Sequence, residues 1–505
     1  MSEQRTIAVR ARSASKGENG PPRRIFIGDL ALACASGSFA IVLFFAATAH
    51  ASAQGPWSTY RGNSQRTGCT DDIPAPDAPT VAWVVKSKEH FVASPVPAPG
   101  DRLLVSGLGA FNTPSFACLS SDPKTTKRTI WSKGVPTFKL PTVSSPAVVG
   151  GKLIFGDGMH QTDGAILHCV ELEDGKSVWK YDLPGILVHL EGSPTVIGDK
   201  IWFGGGSAGV LCLDAAKLTF QGKPMPAAEI RKQVDAQWKK LQAAYEDDKK
   251  KNPDFAIPPS EDQLPYGQPS LVWQVGKEKW HVDAPVAVAG GKVLVATAFL
   301  DKEQLGERAI YALEADTGKT AWKKALKLNP WGGPSVVGDT VIVTGSTINY
   351  DPAKLKGAKG SIAAFRLKDG TELWSKEVPG GVLACAALSG GVAVVAATDG
   401  KVRAFDVETG ERKWIYEAKM ALFAPVAIAK NRVYAGDLKG TIHAIDLTTG
   451  AGIWKLDLGS NAETKAPGMV YGGPIVSAGR VVVATCNLEG PHARAETVVV
   501  GIGAK

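Results

Sequence analysis

The stretch Thr409-Gly410-Glu411-Arg412-Lys413-Trp414, with its copy Thr449-Gly450-Ala451-Gly452-Ile453-Trp454, decides how this chain folds. Each sets a glycine turn four residues before a tryptophan, and the two tryptophans stand forty residues apart. The unit recurs at Asp174-Gly175…Trp179, Thr317-Gly318…Trp322 and Asp369-Gly370…Trp374, while Trp83, Trp131 and Trp273 hold the same place in looser copies. Between Trp414 and Trp454 lie an apolar run at 424–429, a Lys430-Asn431 turn, a return over 432–436, a second turn at 437–440 and a third run over 441–446. These are short β-rich segments bounded by Gly, Asp and Asn, whose backbones accept turn geometry. A period of ~40 residues carried by strands and turns is the mark of a propeller blade.

A second signature counts the blades. Ser94-Pro95, Ser145-Pro146, Ser193-Pro194, Ala284-Pro285, Gly333-Pro334, Ala424-Pro425 and Gly473-Pro474 open seven first strands, and Ala384-Cys385 fills the eighth place. Proline is tolerated where a strand begins, because no ladder hydrogen bond is lost there. Eight first strands and eight Trp strands predict an all-β, eight-bladed propeller of four-stranded antiparallel blades. The Trp83 strand precedes the first Pro strand, and the last Pro strand has no Trp strand after it. The N-terminal strand is therefore expected to complete the C-terminal blade and close the ring.

At 505 residues, with 56 glycines, 32 prolines, 44% apolar and 21% charged residues, the chain has the composition of many short strands around an ample core. The formal charge is +8, of which residues 1–53 supply +3, and the remainder carries no basic block that would call for nucleic acid. Residues 1–53 read as an export signal. A basic stretch ending in Arg23-Arg24-Ile25-Phe26-Ile27 resembles a twin-arginine motif, an apolar run follows from about Leu30 to Ala49, and Ala49-His50-Ala51-Ser52-Ala53 offers A-x-A cleavage. The alternative is an uncleaved anchor that would give the only membrane contact. Residues 54–80 form an N-terminal extended segment, residues 81–505 the propeller. Past the signal, Cys69, Cys118, Cys169, Cys212, Cys385 and Cys486 remain. Cys118, Cys169 and Cys212 hold a third-strand position filled by Ala in other repeats, which predicts free structural thiols.

On these repeats, and on Trp57-Ser58-Thr59-Tyr60-Arg61-Gly62 with Arg66-Thr67-Gly68, the chain resembles the pyrroloquinoline-quinone-like repeat propellers, of the type seen in outer-membrane-assembly lipoprotein B and in quinoprotein dehydrogenases. The resemblance implies two functions. One is a non-enzymatic exported scaffold, without cofactor, that binds a protein, peptide or envelope component in periplasm or cell envelope. The other is a quinoprotein-like oxidoreductase holding pyrroloquinoline quinone and calcium. The dehydrogenases hold their quinone with two adjacent cysteines, a Trp platform and calcium on Glu, Asn and Asp. This chain has no adjacent cysteines, no C-x-x-C-H, no D-x-D-x-D loop and no H-E-x-x-H. No catalytic, cofactor-binding or metal-ligating residue is assigned on this reading, and the scaffold, as a monomer, is preferred. Polysaccharide binding is a third possibility.

The repeat is interrupted at about 220–265, where Ile230, Val234, Trp238, Leu241 and Tyr245 fall on one face of a helix. In a four-stranded blade, the links between blades and the loops from second to third strand open on one end of the ring. That end collects His90, Phe91, His189, His281, Trp331, Phe423 and Tyr471, together with five long loops. It is the expected ligand face, because loops on a rigid scaffold carry recognition.

Overall fold

The computed structural model describes residues 57–160 and 162–504; the export-signal reading lies outside them. Eight sheets of four antiparallel strands follow one another around a ring, each with its first strand innermost, and Cys69–Thr70 adds a parallel strand to the inner edge of the seventh. The blade that carries the compact repeat runs Ala427–Ala429, Arg432–Gly436, Thr441–Asp446 and Gly452–Asp457. First strands are shorter than the apolar runs suggest, mostly three residues. Eight strands crowd the axis, and residues just before them, such as Val286 and Val426, offer their carbonyls inward instead. In the eighth blade, Ile475–Ser477, Arg480–Ala484 and Thr497–Ile502 are completed by Val81–Ser87, with Trp83 opposite Gly501. The predicted closure is present.

The Gly…Trp unit has a packing cause that crosses from blade to blade. The ring of Trp414 covers Gly450 of the following blade so closely that a Cβ there would lie 2.7 Å from it, and Gly450 has φ +74°. Trp131 stands over Gly175, Trp273 over Gly318, Trp322 over Gly370 and Trp374 over Gly410 in the same way. Two demands thus fall on one residue: a left-handed turn and no side chain. Each indole also donates its N–H across the seam, Trp414 Nε1 to Leu447 O at 2.8 Å and Trp374 Nε1 to Val407 O at 2.9 Å. At the junction of last and first segments, Trp454 Nε1 donates to Pro76 O at 2.9 Å, so the N-terminal segment stands where another blade's turn would be. All eight repeat tryptophans are buried.

The stretch 57–70 is not a tether. It crosses the inner strands of five blades, with Ser58 O, Ser64 O, Gln65 O, Thr67 O and Gly68 O accepting the N–H groups of Val148, Val288, Val336, Leu388 and Ile428. Two arginines, wholly buried, hold it there. Arg66 donates to Val286 O (3.1 Å), Ser193 O (2.9 Å), Thr195 Oγ1 (2.6 Å) and Tyr60 O (2.7 Å), and Arg61 to Val426 O and Ala386 O. Backbone oxygens rather than carboxylates meet these charges, and the fork geometry of guanidinium suits several at once.

The insertion is the helix Ala227–Lys251, between the third strand Val210–Phe220 and fourth strand Gln268–Val275 of the third blade. Its predicted apolar face is real but only Ile230 is fully buried; Val234, Trp238, Leu241 and Tyr245 are half-covered. Arg231–Glu171 and Lys133–Glu261 ion pairs tie the insertion to neighbouring blades. Among the described residues, no helix is long and apolar enough to cross a membrane.

The six described cysteines are free and buried. Burial pushes the thiols of Cys118, Cys212 and Cys486 up to about 12, far from the reactive thiolate. Native protein treated with a maleimide at neutral pH should carry no label on these six by mass spectrometry. Prompt labelling of Cys118 or Cys212 would mean the outer strands are loose.

Candidate functional site

The loop end of the ring is where the sequence-selected residues meet. They divide into two groups and a remainder. Phe91 is buried among Trp83, Leu103 and Val105, so it plugs the seam between blades. His90 accepts a hydrogen bond from Asn487 N at 3.1 Å and bridges Leu108, fastening the eighth blade to the first. These two serve the ring.

An aromatic group forms one side of the end. Phe423, buried, meets Tyr471 (ring centroids 5.5 Å, edge-on) and Tyr350 (6.0 Å, edge-on). Beneath them lie Leu383, Leu438 and Met469, with Trp331 and Tyr471 half-covered against the cluster. The indole N–H of Trp331 has no acceptor. Tyr350 was not selected from sequence, because it sits inside a long loop with no periodic signal; its hydroxyl donates to Leu383 O at 2.8 Å.

A polar group faces it. His189 and Glu191 come from the link before the strand Thr195–Ile197, His281 and Asp283 from the link before Ala287–Ala289, and His160 from the loop after Lys152–Gly156. The links are pinned by Leu190 N to Asp157 O (3.1 Å) and by paired bonds between Gly206 and Val282 (3.1 Å each). Gly206 has φ +58°, and a Cβ there would lie 2.8 Å from His189 Nε2, so glycine is what makes room for the imidazole. The three rings are mutually adjacent, with centroids 5.3, 5.3 and 5.2 Å apart.

Electrostatics sort the members. Burial would raise the Asp283 carboxyl, but His281 and His189 hold it down to about 2. As a carboxylate it accepts from His281 Nε2 at 2.9 Å. Burial lowers His281, yet Asp283 outweighs it and raises the imidazole's affinity for a proton. His189 is lowered, chiefly by burial, and neither ring nitrogen has a hydrogen-bond partner; Asp283 Oδ1 stands 3.3 Å from Nε2 and Glu191 Oε1 3.5 Å from Nδ1. Burial and then Asp283 push the Glu191 carboxyl up.

Other buried histidines behave differently. His168 Nε2 meets Asp157 at 2.7 Å and His443 Nε2 meets Asp437 at 3.2 Å. Both acids follow a second-strand glycine and cap the next loop, Asp157 accepting from Ile166 N and Asp437 from Thr441 N. Two blades use one device, which marks it as structural.

The ring of eight four-stranded sheets, its axial N-terminal segment and its repeated Gly…Trp seams define an eight-bladed pyrroloquinoline-quinone-like repeat propeller. More closely, the chain belongs to the family described as outer membrane protein assembly factor BamB, matched over residues 75–239, 267–417 and 309–498. No curated protein matches it. Among solved structures it is similar to BamB from Moraxella catarrhalis (TM-score 0.54, 13% identity, 84% of this chain and 100% of that one). It is similar also to a europium-containing methanol dehydrogenase (0.57, 14%, 89% and 98%) and to the quinohemoprotein alcohol dehydrogenase of Comamonas testosteroni (0.56, 14%, 90% and 82%). At such identities these likenesses show the fold alone.

Proposed function

We propose that this chain is an exported binding scaffold that holds a segment of an envelope protein or peptide on the loop end of the ring. The observation that carries the reading is the aromatic cluster in which half-covered Trp331 and Tyr471 and exposed Tyr350 surround buried Phe423 on an apolar base. Aromatic side chains with one apolar face and one unused polar atom are the usual anchors of recognition. The BamB-like family supports it. The donor set supports it over a quinone enzyme too: Cys385 stands alone beside Tyr60, and the polar group offers three imidazoles where calcium prefers oxygen. These residues do not fit a quinone resting on a disulfide of neighbours with calcium at its edge.

Trp331→Ala with Tyr471→Ala should weaken partner recovery from an envelope extract by ~10-fold or more. Replacing residues 221–259 by a short Gly/Ser linker should leave it unchanged, since the helix leaves the ring at the opposite end. A linker variant that loses its partner while the double mutant keeps it would move the binding surface to the helix. Bound quinone in protein mixed with pyrroloquinoline quinone and Ca²⁺, read by its absorption, would overturn the scaffold reading.

A further inference from the structure

The polar group at the loop end has no part in the scaffold reading. We infer that His160, His189, His281 and Asp283 form a binding site for one divalent first-row transition metal of the zinc type, with Glu191 behind it.

Four independent features converge. One donor atom from each of the four residues lies within 4.8 Å of every other, as donors around a shared ion must. The ring centroids form a nearly equilateral triangle of 5.2–5.3 Å sides. Its centre is about 3 Å from each centroid, near where an ion sits when Zn–N is about 2.1 Å. The rings are turned 80°, 85° and 44° to one another rather than stacked, which is how imidazoles approach one point from different sides.

Burial supplies the third feature. The side chain of His189 is fully buried, and neither of its nitrogens is hydrogen-bonded. A buried polar atom without a partner is costly, and a neutral imidazole lone pair is a metal ligand. Of the other fully buried histidines, His443 is hydrogen-bonded through both ring nitrogens and His168 through Nε2, its Nδ1 being unpartnered, whereas His189 is bonded through neither. The fourth feature is the surrounding support. Glu191 accepts from the backbone N–H of His160 at 2.6 Å, which fastens that loop, and its carboxylate stands 3.5 Å from His189 Nδ1 without a hydrogen bond to it. Outer carboxylates support the ligands at metal centres.

The donor set selects the class of ion. Three imidazoles and one carboxylate suit zinc, copper, nickel or cobalt; calcium and magnesium ask for oxygen.

The test is a titration of tag-free, chelator-treated protein with Zn²⁺, and with Co²⁺ read by visible absorption. One ion per chain is expected, retained through gel filtration and not displaced by equimolar Ca²⁺. His189→Ala and His160→Gln should each weaken it by ~100-fold, and Glu191→Gln by ~10-fold. Should His189→Ala fail to fold, His160→Gln decides, because His160 is on a half-exposed loop. No bound ion, a stoichiometric ion that survives His160→Gln, or displacement by equimolar Ca²⁺ would each overturn the site. None of these results touches the aromatic cluster, so the scaffold reading stands or falls separately.

Discussion

Chain that lacks residues 57–90 is expected to aggregate instead of yielding a folded monomer. The deletion removes Val81–Ser87 and so bares the outer edge of Thr497–Ile502, a strand whose six residues are all buried in the intact ring. An open edge of Thr-Val-Val-Val-Gly-Ile is a template for pairing with another chain. It also removes Arg61 and Arg66 from the axis, leaving Val286 O, Ser193 O and Val426 O without their donors, and strips Pro76 from Trp454 Nε1. Three losses at three radii cannot be absorbed by a shift of one blade. Size-exclusion chromatography and thermal unfolding decide the matter. A monomeric variant that melts with the full-length protein would mean that the ring closes through its other seams alone.

Trp414→Ala carries the second-largest expected effect, a loss of ~3–5 kcal/mol in unfolding free energy, as for other large core truncations. Its ring fills the seam between the sixth and seventh blades, lies against Gly450 and satisfies Leu447 O. Trp414→Phe keeps part of the filling and abandons the hydrogen bond, and should cost ~1–3 kcal/mol. Gly450→Ala meets the same contact from the other side, with its Cβ driven into the ring at positive φ, and should be destabilising by itself. Denaturant titrations of the three variants read these differences directly. A change under ~1 kcal/mol for Trp414→Ala would place the side chain at the surface and shift the register of the whole repeat.

The fold was legible because each blade repeats the same small problem. A glycine that must be both left-handed and bare, and a tryptophan four residues later, print the seam into the sequence once per blade. Closure was legible for a related reason: an unmatched Trp strand at one end answered an unmatched Pro strand at the other. The site was legible only by halves. His189 and His281 were picked out because each precedes a first strand, a position the repeat makes visible. Their companions carry no such mark. His160 and Tyr350 lie in loops whose course depends on neighbouring blades, and Asp283 and Glu191 look like any acid near a strand start. Read along the chain, the histidines have no ligand spacing; the ring brings His160, His189 and His281 together from separate links and loops. Phe91 showed the converse failing. Its place before a first strand is that of a loop-end residue, but its side chain turns into the seam, a choice that depends on the volume left by Trp83 and Leu103.

Closure also dictates when this molecule can fold. Trp83 and Gly501, opposite one another in one ladder, lie some four hundred residues apart. Bringing such ends together costs about 5 kcal/mol in chain entropy, against about 2 for a ten-residue hairpin. Single blades pay only the small sum and can form as synthesis proceeds, but the strand that ends the ring is among the first made and its partner among the last. Until the final blade is complete, Val81–Ser87 has no neighbour to pair with. Ring closure is therefore expected to be the last and slowest step of folding, and chains halted before Thr497 are expected to keep Val81–Ser87 unpaired.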